Sequence, residues 1–187
     1  SVFPTDENTL AYLKQQGRED EYVEMKADDD ATYDETIEID MSTLVPMVAQ
    51  PHSPDNVVDV KELEGMKINQ VVIGSCTNSS LPDMMRAAKI LKGRKVAEDV
   101  SLVIAPGSSS ILSMLAQNGA LADMIHAGAR ILECGCGPCI GMGQAPLSKG
   151  VSLRTINRNF KGRSGTNDAS VYPVSYTHLR AHETELH

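Results

Sequence analysis

The residue pattern predicts an α/β fold, a three-layer α/β/α arrangement around a mostly parallel sheet. Short β-branched runs at 68–73, 100–105, 129–133 and 151–156 alternate with stretches of helical periodicity. Strands that alternate with helices bury a parallel sheet on both faces. Each run is also followed directly by a polar loop rich in Gly and Ser, Cys or Asn. In open parallel sheets such loops lie together beyond the carboxyl ends of the strands, where ligands bind.

Taken in order, residues 6–16 read as a short helix. Asp6 caps it, Leu10, Ala11 and Leu13 give it an apolar face, and Gly17 ends it. Residues 18–31 are acidic and loop-like. Residues 36–40 (Thr-Ile-Glu-Ile-Asp) alternate as a strand with one exposed face does. Pro46, Pro51 and Pro54 punctuate 43–58 and place a domain junction there. The regular part then begins. Strand 68–73 leads through the Cys76 loop into a helix that opens at Pro82, a good first-turn residue, and stops before Gly93. Strand 100–105 leads through Ser108, Ser109 and Ser110 into a helix ending near Gly119, and 121–127 forms another. Strand 129–133 leads into a cysteine-rich loop, and strand 151–156 into the loop of Asn157, Arg158 and Arg163.

The expected organisation is the end of a preceding α/β domain with its connection (1–45), a main α/β domain (46–174) and a non-native tail (175–187). The tail holds three of the five His and breaks off without helix or strand logic, as translated adapter sequence does. His178 and His182 in it are four apart, but no third ligand is organised around them. Elsewhere His126 and His52 read as a helix and a loop residue. Met84, Met85, Met114 and Met124 read as core filler, and Ser108–Ser110 as helix caps.

A chain of 187 residues is long enough for one real core. No apolar run approaches the roughly 20 residues of a membrane span, and the N-terminus has no signal-peptide pattern. The net charge of −8 is uneven: about −12 over residues 1–70 and +4 over the rest. The basic part holds all the cysteines, which suits small anionic ligands. No basic run is dense enough to argue for nucleic acid. Four cysteines in a chain of this size are no secreted disulfide scaffold, so a reducing, cytoplasmic compartment is expected.

Cys134, Cys136 and Cys139 lie in Glu-Cys-Gly-Cys-Gly-Pro-Cys-Ile-Gly, and Cys76 lies in Gly-Ser-Cys-Thr-Asn-Ser-Ser. Three readings compete. A thioredoxin-like dithiol at 136–139 lacks its usual context, since Gly135 precedes it and three strands come first. Structural zinc usually recruits two C-x-x-C pairs, and Cys76 has no such neighbour. An iron–sulfur cluster on Cys76 and the C-x-x-C pair would leave one iron without a thiol. The glycines around the pair and the polar residues after Cys76 favour this third reading, since they supply close backbone and N–H donors. Arg158 and Arg163 add guanidinium groups suited to carboxylates.

These three motifs, in this order and spacing, resemble the aconitase family, and the resemblance covers residues 1–174. It implies a [4Fe–4S] cluster on Cys76, Cys136 and Cys139, with the open iron binding a substrate hydroxyl and carboxylate. It also implies that Asn157, Arg158 and Arg163 hold the substrate, a small tricarboxylic or dicarboxylic hydroxy acid. The expected activity is that of a hydro-lyase isomerising citrate and isocitrate through cis-aconitate, a tricarboxylic acid cycle reaction. The alternative is a homoaconitase or the large subunit of 3-isopropylmalate dehydratase. A regulator that binds RNA without its cluster, or a structural zinc module, is the alternative of another class. The family's acid and base groups belong to an N-terminal region and a C-terminal swivelling domain outside this stretch. The chain is therefore expected to be a fragment of a larger multidomain enzyme, inactive alone. Cys134 departs from the family pattern and reads as a packed thiol.

Overall fold

The computed structural model describes residues 3–175, and the chain divides into two compact units, one ending at Leu44 and one beginning at Val45. His178, His182 and all of the expected tail beyond Ser175 lie outside the described residues.

The first unit holds one regular helix, α1 (Glu7–Gln15). Asp6 caps it with a reciprocal box: its carboxylate accepts from the Thr9 N–H at 2.8 Å, and the Thr9 hydroxyl accepts from the Asp6 N–H. Thr5 links to the extended chain at Val23 and Met25 through backbone and side-chain hydrogen bonds. Residues 36–40 are not a strand. Ile37 and Ile39 are exposed, and no neighbouring strand pairs with them among the described residues. Alternation marks a strand only where a ladder exists to satisfy its backbone.

The second unit opens, within the proline-punctuated segment, with a two-stranded antiparallel hairpin, β1 (Met47–Ala49) and β2 (Val57–Asp59). Its main body is five parallel strands in the order β5-β4-β3-β6-β7: β3 (Gln70–Ile73), β4 (Ser101–Ile104), β5 (Arg130–Ile131), β6 (Val151–Arg154) and β7 (Ser170–Pro173). Four of these match the expected runs. β7 was not foreseen, since Ser-Val-Tyr-Pro is short and ends in proline.

Three helices follow their strands: α2 (Leu81–Leu91), α3 (Ser109–Gln117) and α4 (Ala120–His126). Period-two alternation sends Val71 and Ile73, Leu102 and Ile104, and Leu153 to one sheet face. There they pack with Met84, Ala87, Ala88, Leu115 and Met124 into the core. Met85 and Met114, expected in the core, lie on the exposed sides of their helices. Ser108 caps α3 as expected, its hydroxyl accepting the Ile111 N–H, and Ser80 caps α2 by accepting the Asp83 N–H. The opposite sheet face is mixed, with Val72, Val103 and Val171 buried among polar residues. It presents Gln70, Ser101, Ser152 and Arg154 in matched register and is covered by the segment 132–150, which carries a 3-10 turn over Gly137–Ile140. Among the described residues no helix is long and apolar enough to cross a membrane.

Candidate metal centre

The strand order reverses at β3. The chain runs outward from β3 to β4 and β5, then returns to the other side of β3 as β6 and continues to β7. The loops after β3 and β6 therefore diverge and leave a crevice at the carboxyl edge, the position where open α/β sheets bind ligands. Cys76 lies on the first of these loops and Asn157 on the second. Two side-chain bonds join them directly. Asn78 Nδ2 donates to Asn157 Oδ1 at 3.1 Å, and Asn157 Nδ2 donates to Thr77 Oγ1 at 3.2 Å. A hollow of about 280 Å³ opens between Asn78, Thr155, Asn157 and Pro173. A roomier one of about 400 Å³ lies elsewhere, lined by Met66, Ile68, Ile90, Leu91 and Val96. Neither lining includes a thiol, so the cysteines lie outside both hollows.

The Cys76 loop is held from beneath. Gly74 N–H donates to Thr155 Oγ1 at 2.7 Å, and Asn78 Nδ2 also donates to the Thr155 carbonyl at 2.8 Å. Ser75 Oγ accepts the N–H groups of Thr77 and Asn78, and the Ser79 hydroxyl donates to the Ser75 carbonyl. This curls the loop so that Cys76 faces outward, exposed. Gly74 must be a glycine. Its φ is +108°, and a Cβ there would collide with the carbonyl of Ala105 at the end of β4.

Cys136 immediately precedes the 3-10 turn and is exposed; Cys139 lies within the turn and is partly buried. All four thiols are free. Burial pushes the Cys139 thiol up, and Cys76 and Cys136 push it further, while the charges of Arg163 and Arg154 pull against them. Cys76, Cys136, Cys139 and Arg163, drawn from three loops, are thus one electrostatic neighbourhood. Cys134, half-buried, lies three residues before the turn begins. Asn157 and Arg158 are exposed, and the Arg163 backbone is tied to Phe160 by a 2.9 Å hydrogen bond. Asn159, between the expected substrate residues, is fully buried. Its Nδ2 donates to the Gln50 carbonyl at 2.7 Å, which binds the loop after β6 to the hairpin connection.

Among the described residues no three His, Cys, Asp or Glu side chains gather as the ligands of one ion. A closed zinc site needs its ligands around a single point, whereas a cluster spreads its thiolates over separate irons. The residue that sequence reasoning missed is Arg154, on the mixed sheet face behind the turn. A charged residue in the strand run Val-Ser-Leu-Arg-Thr was the available signal.

The model of the aconitase family (aconitate hydratase) matches residues 1–66 and 60–180, and the chain belongs to that family. It is 46% identical over 175 residues to 3-isopropylmalate dehydratase large subunit 2 of Archaeoglobus fulgidus, covering 93% of this chain and 42% of that protein. It is 43% identical over 177 residues to large subunit 1 of the same enzyme from Thermotoga maritima, with coverage of 93% and 42%. It is 43% identical over 183 residues to the methanogen homoaconitase large subunit of Methanocaldococcus jannaschii, with coverage of 93% and 44%. The chain spans about two fifths of the length of these curated relatives.

Proposed function

We propose that this member of the aconitase family is the cluster-holding part of a hydro-lyase large subunit, acting on a small hydroxy-polycarboxylic acid of the 3-isopropylmalate or homoaconitate kind. The sequence alone favoured citrate and isocitrate. The relatives reported above are named for the alternative, and the substrate reading moves to it. Their description as large subunits supports a separate small subunit as the source of the missing swivelling domain.

The observation that carries this reading is the proximity of the Cys76 loop, the C-x-x-C turn and the Arg163 loop at the carboxyl edge of the sheet. Cys76, Cys136 and Cys139 would hold a [4Fe–4S] cluster; three soft thiols without a fourth suit one whose last iron stays open. Bound there, the cluster supplies a Lewis acid for the substrate's hydroxyl and carboxylate oxygens. This chain's own residues supply the rest of the grip. Arg158 and Arg163 offer planar forks that match carboxylates bidentately. Asn157 is oriented by Thr77 and Asn78, so the substrate side and the thiol side of the site share one rigid contact. The acid and base groups are supplied by parts of the protein beyond this stretch.

Anaerobic reconstitution of the chain, followed by iron and sulfide analysis, tests the ligand set. Cys76→Ser, Cys136→Ser and Cys139→Ser are expected to lose the cluster and Cys134→Ser to keep it. Stoichiometric zinc with no iron in the unaltered chain would overturn the reading. Substrate choice is tested in the whole enzyme with its small subunit, by comparing hydration of 2-isopropylmaleate, homoaconitate and cis-aconitate. A preference for cis-aconitate would restore citrate and isocitrate.

A further inference from the structure

Arg154 is the largest fully buried side chain among the described residues, 0% exposed, at the end of β6. Its guanidinium makes four hydrogen bonds. Nε donates to Ser152 Oγ at 3.0 Å, Nη1 to the Pro138 carbonyl at 2.7 Å, and Nη2 to Gln70 Oε1 at 2.7 Å and the Gln144 carbonyl at 2.6 Å. Two of these acceptors belong to the sheet, and two belong to the segment that carries Cys136 and Cys139. Pro138 lies between those cysteines, so the fork holds the thiol turn directly against β3 and β6. Gln144 is also held by Ser101 of β4 and by Arg130 of β5, which extends the clamp across the sheet.

All four acceptors are neutral. Among the described residues no Asp or Glu forms an ion pair with Arg154. A buried guanidinium without an anion is a standing cost to the fold. The potentially anionic group its charge reaches is the Cys139 thiol. A clamp alone needs hydrogen-bond donors and no charge; a clamp that also carries an unneutralised charge implies a negative group placed against it.

We propose that Arg154 is a positioning residue for the iron–sulfur cluster, fastening the turn of Cys136 and Cys139 to the sheet and neutralising the Cys139 thiolate that binds the metal. The inference rests on the cluster reading above and adds to it a residue outside both the ligand set and the substrate grip. It separates two tasks. Lys at this position keeps the charge and loses the fork, Gln keeps some hydrogen bonding and loses the charge, and Met loses both.

The test is anaerobic reconstitution of the unaltered chain and of Arg154→Lys, Arg154→Gln and Arg154→Met. It reads iron and sulfide content, the half-life of the cluster under a chelator, the cluster's midpoint potential, and the urea midpoint with and without cluster. Arg154→Met and Arg154→Gln are expected to lose the cluster about tenfold faster, the lower end for outer partners of metal ligands. Their potentials are expected to move more negative, because a lost cation disfavours the electron-rich form. Arg154→Lys is expected to lose the cluster faster than the unaltered chain while its potential stays closer to it. Arg154→Met is expected to destabilise the loaded chain more than the cluster-free chain, since only the former uses the charge. Unchanged half-life and potential in Arg154→Met overturn the inference alone. Equal destabilisation with and without cluster, at unchanged potential, reduces Arg154 to a packing residue and also overturns it. An unaltered chain that takes up no iron and sulfide overturns the cluster reading and this inference together. If Arg154→Met does not fold, the Lys and Gln variants decide by the same readouts.

Discussion

Replacing Gly141 by Ala probes a place where the thiol turn and the arginine loop meet backbone to backbone. Gly141 ends the 3-10 turn with φ of +87°, and its N–H donates to the Pro138 carbonyl at 3.2 Å. A Cβ there would lie 2.6 Å from the carbonyl carbon of Ser164 and 2.9 Å from the Cα of Gly165. Neither is the end of a flexible side chain, so the two loops must part. Gly143, two residues on, has φ of +71° and nothing within 4 Å of the same added atom. Both substitutions carry the left-handed backbone cost for an L-residue, about 1–2 kcal/mol, slightly relieved by a stiffer unfolded chain. Only Gly141→Ala adds the cost of forcing packed backbone apart, about 1–3 kcal/mol by analogy with overfilled cores. Gly143→Ala should therefore lose about 1 kcal/mol and Gly141→Ala about 3 kcal/mol. With a urea dependence of about 2 kcal/mol per molar, the midpoints fall by about 0.5 M and about 1.5 M. The assay is equilibrium urea unfolding of the cluster-free chain followed by circular dichroism. Equal losses in the two variants would refute the argument, because the left-handed backbone would then account for everything and the loops would not be in contact.

Three further outcomes are expected. Gln70→Leu removes the acceptor of both Arg154 Nη2 and the Ser152 hydroxyl, stranding buried donors on a charged group, and should lower unfolding free energy by about 3 kcal/mol in the same assay. Asn159→Ala leaves the Gln50 carbonyl only its long 3.5 Å bond from the Ser53 N–H and should cost about 1 kcal/mol, with a larger loss of hydrogen-exchange protection around 50–52 than in the sheet. The Asp6 carboxyl, held down to about 2 mainly by the Thr9 N–H, should titrate by NMR near that value. Its folded pKa lies below its unfolded one, so its capping contribution is complete above the ordinary carboxylate range and disappears as pH falls through about 2. A midpoint near 4 would show that the cap is not formed.

The sheet was legible because a buried parallel strand announces itself. Runs such as Gln-Val-Val-Ile and Ser-Leu-Val-Ile are rich in β-branched residues, short and followed within three residues by glycine, and their helices carry hydroxyl caps. What the sequence hid are elements defined by their partners. β7 consists of Ser-Val-Tyr-Pro and becomes a strand because β6 offers it a ladder. Residues 36–40 show a better alternation and form none, because nothing among the described residues pairs with them. The hairpin of β1 and β2 was masked by prolines that occupy its edges and its connection rather than its ladder.

The site was legible in a different sense. Unusual residues at strand ends were enough to assemble Cys76, the C-x-x-C pair and the Asn157 loop on one edge, since parallel strands all end there. The residue behind them was not, because Arg154 shows its role only through register. Parallel pairing aligns Arg154 with Val72, and Ser152 with Gln70. That places Gln70 Oε1 and Ser152 Oγ under the guanidinium at the level where the segment 132–150 crosses. No spacing rule encodes this, for the acceptors lie 84, 16, 10 and 2 residues away. The two sheet faces thus divide the labour. The face of Val71, Ile73, Leu102 and Ile104 packs against three helices, while the face of Gln70, Ser152 and Arg154 uses hydrogen bonds to hold a thiol-bearing loop in place. That second face also buries Val72 and Val103 completely, so its polar clamp is added to apolar packing and not exchanged for it. The register that sets Arg154 beside Val72 lets one face fix the position of the loop and keep its buried apolar area.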